Sequence, residues 1–300
     1  MAFIQLTNGN DTVEGGVAAD TILGLGGRDF LFGNGGDDNI FGGDGDDRIG
    51  GDDGNDELYG DLGNDRLNGN EGFDRLFGGF GADLLFGDQG DDILFGDAGR
   101  DQLFGGIGND QLDGGDGGDS LVGDDGNDRL TGGRGRDRLS GQTGNDILIG
   151  GSGNDTLLGR AGDDFLQGDE RRDTLKGGAG NDVLIGGKGN DQLTGGGGSD
   201  RFYFNNQREG CDRIRDFSVQ ADSIYVSAPG FTGQLAAGRS IEAAQFQVGS
   251  AANDRSDRFI YNNDTGALLF DRDGNGRARA IQFATLSRNL NLSHRDIIVF

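Results

Sequence analysis

The stretch GQTGNDILIGGSGNDTLL, residues 141–158, is one nine-residue pattern written twice, and its reading decides the fold. Each copy opens on a glycine, Gly141 or Gly150, and repeats it three residues later at Gly144 or Gly153. Asp146 and Asp155 then take the sixth position, and Leu148 and Leu157 the eighth. Followed outward in both directions, the phase holds from Leu6 to Tyr203 as 22 units of G-G-x-G-x-D-x-U-x, with U apolar and no insertion or deletion. The first position is Gly in 21 of the 22 units, Leu6 being the exception, and the fourth is Gly except at Ala18 and Arg171. The eighth is always apolar, from Val13, Ile22 and Leu31 to Leu193 and Phe202.

A period of nine this strict implies a stacked architecture in which each unit is one turn and one short strand. Glycines around the sixth-position Asp permit positive φ and close approach of backbone carbonyls. The x-U-x triplet alternates outward, inward, outward, as a short strand must. Two units make one coil of 18 residues, and stacking the coils gives two parallel sheets with the eighth positions packed between them. The expected fold is therefore all-β, a right-handed parallel β-roll (a β-solenoid with 18 residues per coil), followed by a small β-rich C-terminal capping region. The expected division is a roll over 1–203, with its nonapeptides at 6–203, and a cap over 204–300.

Composition agrees with that division. Glycine accounts for 64 of 300 residues, but one proline, Pro229, excludes collagen, and regularly spaced apolar residues exclude disorder. The formal charge of −26 makes a nucleic-acid partner untenable. Residues 204–300 carry 11 Arg against 11 Asp plus Glu, so the acidic excess belongs wholly to residues 1–203.

Within the repeats the acid is ordered. Asp11, Asp29, Asp47, Asp65, Asp83, Asp101, Asp119, Asp137, Asp155, Asp173 and Asp191 fall along one edge of the roll. Along the other fall Asp20, Asp38, Asp56, Asp74, Asp92, Asp110, Asp128, Asp146, Asp164, Asp182 and Asp200. Neighbours in a row stand one strand spacing apart, roughly 4.8 Å. Two such carboxylates repel by about 3 kcal/mol at an effective dielectric near 20. A solvated turn-forming Asp explains one or two such positions, but 22 in register require cations between the turns. Carboxylate and carbonyl oxygens, with no Cys or His in the repeat, select calcium over zinc or copper.

On these residues the chain resembles the RTX family, whose calcium-binding nonapeptides form a parallel β-roll. The resemblance covers residues 6–203. It implies ions held between turns two units apart by the sixth-position Asp and the carbonyls of the G-G-x-G-x-D segment, Asp11 with Asp29, Asp20 with Asp38 and onward. That allows at most 20 inter-turn Ca²⁺ sites, of which thirteen filled would cancel −26. The unit at 168–176 departs from the pattern: Arg171 replaces a turn glycine, so a weakened or vacant site is expected there.

After Tyr203 ordinary strand alternation takes over, as in Ser223-Ile224-Tyr225-Val226 and Arg258-Phe259-Ile260-Tyr261. Gly210-Cys211-Asp212-Arg213-Ile214-Arg215-Asp216-Phe217 is similar to the G-x-D-x-I-x-D-F segment that follows RTX arrays in secreted bacterial proteins. Ala267 to Phe270 and Ala280 to Phe283 read as hairpin strands around the turn Asp271 to Gly276. That turn opens like an EF-hand loop, but Gln282 stands at its twelfth position, and an Asn-Gly hairpin turn accounts for it. The ending Asp296-Ile297-Ile298-Val299-Phe300 is similar to a type I (ABC transporter) secretion signal and also reads as a last strand of the cap.

Cys211 stands alone, which excludes an internal disulfide, and His294 stands alone, which excludes an H-E-x-x-H protease motif. No serine has the G-x-S-x-G spacing, so an enzyme is not expected. No segment approaches 18 consecutive apolar residues. The expected function is a secreted, extracellular calcium-binding protein that folds on calcium after export through the type I machinery. One outer face should stack Phe41, Tyr59, Phe77 and Phe95, and the other carries Phe32, Phe86 and Phe104. An alternative function rests on these faces: a surface or matrix adhesin contacting a cell surface, a polysaccharide or a second copy. An accessory module for a separate secreted enzyme is a third.

Overall fold

The computed structural model describes residues 2–231, 235–274 and 279–300. Its residue contacts separate two units, Met1–Thr156 and Leu157–Phe300.

In Met1–Thr156 the nonapeptides alternate between two parallel sheets. The strand Arg75–Gly81 pairs in parallel with Ile93–Gly99, Leu76 facing Leu94 and Phe77 facing Phe95. The intervening strand Leu84–Gln89 pairs in the same way with Gln102–Ile107, Leu85 facing Leu103. Each partner lies two nonapeptides on, the 18-residue coil expected from the repeat. Eighth-position side chains from Ile22 to Leu148 are at most 2% exposed and form the ribbon of core between the sheets. Val13 is half-buried, because its strand Thr12–Glu14 pairs with Phe30–Phe32 on one side and has no coil before it.

The turns explain where glycine is required and where it is not. The second position of every unit from Leu25 to Gly196 has positive φ, and at that position Asp52, Asp61, Asn70, Asp88, Asp97 and Asp124 take φ between 66° and 81°. Asp and Asn enter the left-handed region at the lowest cost among side-chain-bearing residues. At the fourth position, a Cβ on Gly45, Gly63 or Gly81 would collide with the carbonyl of the fourth-position glycine one coil back. Glycine there is demanded by sterics as well as by φ.

Leu157–Phe300 opens with the same architecture. Phe165–Glu170 pairs with Val183–Lys188, and Thr174–Ala179 with Gln192–Gly197. Past the last nonapeptide the pairing persists although the spacing slips: Leu193 faces Ile214 and Phe202 faces Ile224. Ser223–Val226 then receives Ile297–Val299 in parallel. Asp212–Ile214 receives Ile281–Thr285, which forms an antiparallel hairpin with Ala267–Phe270. The first hairpin strand forms where the sequence places it, while the second runs Ile281–Thr285 rather than 280–283; of their expected turn, Asn275 and Gly276 lie outside the described residues. Phe231, Phe259, Phe270 and Phe283 make a second core, Phe231 meeting Phe283 edge-on at 5.0 Å and Phe270 at 5.2 Å. Among the described residues helix is limited to two three-residue 3-10 turns, Ala243–Gln245 and His294–Asp296, and no helix is long and apolar enough to cross a membrane.

Candidate metal centres between the turns

The sixth-position aspartates are as buried as the leucines two residues on. From Asp29 to Asp200 every one is at most 2% exposed. One carboxylate oxygen accounts for part of this burial. Oδ1 accepts the backbone N–H of the aspartate one coil earlier, as from Asp47 to Asp65 at 2.7 Å, Asp65 to Asp83 at 2.7 Å and Asp74 to Asp92 at 2.8 Å. In the second unit Asp164 donates to Asp182 at 2.9 Å and Asp182 to Asp200 at 3.0 Å.

The other oxygen has no such partner. Oδ2 of Asp29 and of every ninth residue from there to Asp137, and of Asp182, Asp191 and Asp200, is buried and receives no hydrogen bond. Leaving an ionised oxygen in that state costs several kcal/mol per site. The first-position glycine shows what the space is for. A Cβ on Gly78 would sit 2.7 Å from Asp83 Oδ2 and 2.9 Å from the Gly96 carbonyl oxygen. On Gly96 it would sit 2.7 Å from Asp101 Oδ2 and 2.8 Å from the Gly114 carbonyl, and on Gly114 it would lie 2.7 Å from both Asp119 Oδ2 and the Gly132 carbonyl. A carboxylate oxygen of one coil and a carbonyl oxygen of the next thus converge on a cradle that any side chain would fill. Hard oxygens of both kinds, recurring along the roll, suit calcium. Among the described residues no three His, Cys, Asp or Glu side chains gather, so such a centre depends on backbone carbonyls as much as on carboxylates.

The electrostatics agree. Burial, reinforced by the charge of row neighbours, pushes the carboxyl of Asp65 up to about 8 and those of Asp74, Asp101, Asp110 and Asp128 up to about 7. Without a cation these groups are drawn toward their protonated form near neutral pH, and a divalent ion bound there would displace those protons.

The description "RTX calcium-binding nonapeptide repeat" matches the chain in ten overlapping windows that together span residues 5–202. The chain belongs to the RTX calcium-binding nonapeptide-repeat family. It is a calcium-binding β-roll protein. No curated protein matches the chain. Among solved structures it is similar to a hyperactive, Ca²⁺-dependent, β-helical antifreeze protein from an Antarctic bacterium (18% identity, TM-score 0.36, 73% of this chain and 84% of that one). A second is the AlgE6R3 subunit of the Azotobacter vinelandii mannuronan C5-epimerase (27% identity, TM-score 0.32, 56% of this chain and 80% of that one). A third, extracellular lipase LipA from Serratia marcescens (18% identity, TM-score 0.28), has 83% of this chain aligned over 45% of its own length.

Within the RTX roll the sites are not uniform. In the first coil, Thr7 donates its N–H at 2.9 Å and its hydroxyl at 2.7 Å to Asp11 Oδ2, and Gly16 N–H donates to Asp20 Oδ2 at 2.8 Å. Both carboxyls lie below the usual range on account of these bonds, and Leu6 stands where later units have the cradle glycine. Arg171 adopts φ 82°, so the turn survives its substitution, and Asp173 N–H still donates to Asp191 Oδ1 at 2.8 Å.

Two features escaped the sequence reading. The fifth-position Asn or Asp carries a second ladder running the opposite way, its Oδ1 accepting the N–H of the fifth residue one coil later: Asp46 from Asn64 at 2.9 Å, Asn64 from Ala82 at 2.9 Å, Asn109 from Asn127 at 3.0 Å. The abundance of Asn before Asp was the available signal. The aspartate rows also outlast the repeats: Asp191 N–H donates to Asp212 Oδ1 and Asp200 N–H to Asp222 Oδ1, each at 3.0 Å. Gly210-Cys211-Asp212 sits on Gly189-Asn190-Asp191, Cys211 N–H bonding Asn190 Oδ1 at 2.9 Å. The similarity of this segment to G-x-D-x-I-x-D-F is thereby given a structural meaning, an irregular nonapeptide. The Cys211 thiol is half-buried and pushed up by that burial, which disfavours its thiolate form.

Proposed function

We propose that this chain is a secreted protein whose 1–203 region folds when calcium occupies the inter-turn cradles, with 204–300 as the cap that closes the roll. The observation that carries this reading is the repeated pairing of an unsatisfied Asp Oδ2 with a glycine carbonyl across a Cβ-free space, as at Gly78, Gly96 and Gly114. In a cell interior poor in free calcium, sites of the extracellular type, with Kd of about 0.1 to 1 mM, stay empty. The aspartate rows then repel, and the chain remains an extended polyanion suited to passage through a type I exporter. Outside, the free energy of ion binding becomes free energy of folding. The C-terminal segment supports this order of events. Ile297 and Val299 are fully buried in the strand Ile297–Val299, so an exporter that reads this end must meet it before the fold closes.

The outer aromatic ladder fits a stabilising role better than adhesion. Phe41, Tyr59, Phe77 and Phe95 stack face to face at 4.7, 4.7 and 5.2 Å, so each interior ring spends both faces on its neighbours. The flat ring surface that would stack on a sugar is not offered. Circular dichroism during a calcium titration of the chelated chain tests the proposal. Strand signal should appear cooperatively as calcium reaches the millimolar range, and full strand signal in excess chelator would refute it.

A further inference from the structure

We infer that the cradle at Gly186 is the tightest calcium site of the chain, and that Asp212 of the C-terminal region closes it. The inference rests on the calcium reading above. At many cradles one carboxylate oxygen and one glycine carbonyl oxygen of the next coil lie close together; at Gly168, one coil earlier in the same row, these are Asp173 Oδ2 at 2.5 Å and the Gly186 carbonyl at 2.7 Å. At Gly186 itself a second carboxylate comes close. The position a Cβ would take lies 2.6 Å from Asp191 Oδ2 and 3.0 Å from Asp212 Oδ2. Asp191 is 1% exposed and Asp212 5%, and the Asp191 carboxyl has the Asp212 carboxyl, another acid, as its side-chain partner.

The three-residue insertion between Asp191 and Asp212, relative to the 18-residue coil, creates this difference. Gly210 still stacks on Gly189 and Cys211 on Asn190, so the turn is back in register just before Asp212. After the slip the Asp212 carboxylate reaches the space beside Gly186. Glu209 adds further negative charge beside Asp212, and Arg172 offsets part of it at Asp191. Calcium affinity in oxygen sites rises with the number of charged ligands. This cradle therefore fills first as calcium rises. Filling it fixes Asp212–Ile214, and with it the parallel partner Ile281–Thr285, onto the last coil.

The test is calcium binding to the full-length chain by titration calorimetry and equilibrium dialysis. Wild type should show one ion bound at least about tenfold more tightly than the remainder, the gain expected from one added charged ligand. Asp212→Asn keeps an oxygen for the Asp191 N–H but loses the charge, and it should abolish that tight ion while leaving the weaker class unchanged. Gly186→Ala fills the cradle while keeping both carboxylates and should do the same. Asp83→Asn, in the middle of the roll, should remove a weak ion and keep the tight one. Retention of the tight ion in Asp212→Asn or Gly186→Ala, or a single uniform class in wild type, would overturn the inference. So would an Asp212→Asn chain that fails to reach wild-type strand signal in excess calcium, because every other site remains intact. A wild-type chain that binds no calcium at all would instead overturn the calcium reading itself.

Discussion

Asp65 N–H donates to Asp83 Oδ1 at 2.7 Å, while Asp83 Oδ2, equally buried, receives nothing. The backbone thus orients each carboxylate and leaves one oxygen free to face the cradle. Such a half-satisfied arrangement is a poor way to hold a protein together without a ligand. It explains why a roll with a continuous leucine core should still need an ion at its edges.

The first consequence is a pH dependence of unusual sign. Burial raises Asp83 and Asp92 to about 6, Asp74 to about 7 and Asp65 to about 8, whereas the unfolded chain titrates in the ordinary carboxylate range. Between about pH 4 and pH 8 the folded chain binds more protons than the unfolded one, so metal-free stability falls as pH rises. In excess chelator the residual strand signal by circular dichroism should be greater at pH 5 than at pH 8. With calcium the trend reverses, because protons and ions compete for the same oxygens. Strand signal that rises with pH in chelator would contradict the burial of these rows.

The cradle can be filled deliberately. Gly96 does not have positive φ, so Gly96→Ala introduces no backbone strain, but its methyl would enter the space between Asp101 Oδ2 and the Gly114 carbonyl. The variant should bind one ion fewer by equilibrium dialysis and lose about 1–3 kcal/mol of stability in saturating calcium, as overpacking does. An unchanged ion count would show that the ion lies elsewhere.

Arg171 is the opposite case, a natural defect. Its φ of 82° is a conformation that costs a side-chain-bearing residue about 1–3 kcal/mol, and it brings a positive charge to a turn that should hold a cation. We expect the site beside it to be weakened, and Arg171→Gly to raise both the thermal midpoint and the number of ions retained at low calcium. A lower midpoint in calcium would show that Arg171 makes a compensating contact.

The aromatic ladder should matter for stability alone. Phe77 stacks on Tyr59 at 4.7 Å and on Phe95 at 5.2 Å, and Arg75 lies over its ring at 5.6 Å while pairing with Glu57 at 3.6 Å. Two aromatic pairs contribute about 1–3 kcal/mol beyond area burial. Phe77→Ala should lower the unfolding free energy in calcium by at least that amount with the ion count unchanged. A lost ion would tie the outer face to the sites.

Much of this was legible because a strict period forces equivalent residues into equivalent places. Once Leu148 and Leu157 repeat with the phase of Asp146 and Asp155, the core and the acidic edges follow from strand geometry alone. The part that stayed hidden lay where equivalence is broken or is chemical rather than positional. Leu25, Gln142 and Arg160 take the left-handed conformation their glycine counterparts take, and no residue type announces that. Asn64 and Asn109 look like turn formers until the coil above supplies the N–H they accept. Asp212 and Asp222 belong to the rows in space but fall 21 and 22 residues after their neighbours, so a search at a fixed step of nine passes over them. Asp11 keeps the step but has Thr7 hydroxyl and backbone donors in place of an open cradle.

The most direct test of the account is the calcium content of the folded chain, measured by elemental analysis after equilibration in millimolar calcium. The account predicts more than the thirteen ions that neutralise the charge of −26, approaching one for each inter-turn cradle, about 20. A folded chain carrying only one or two calcium ions would contradict it.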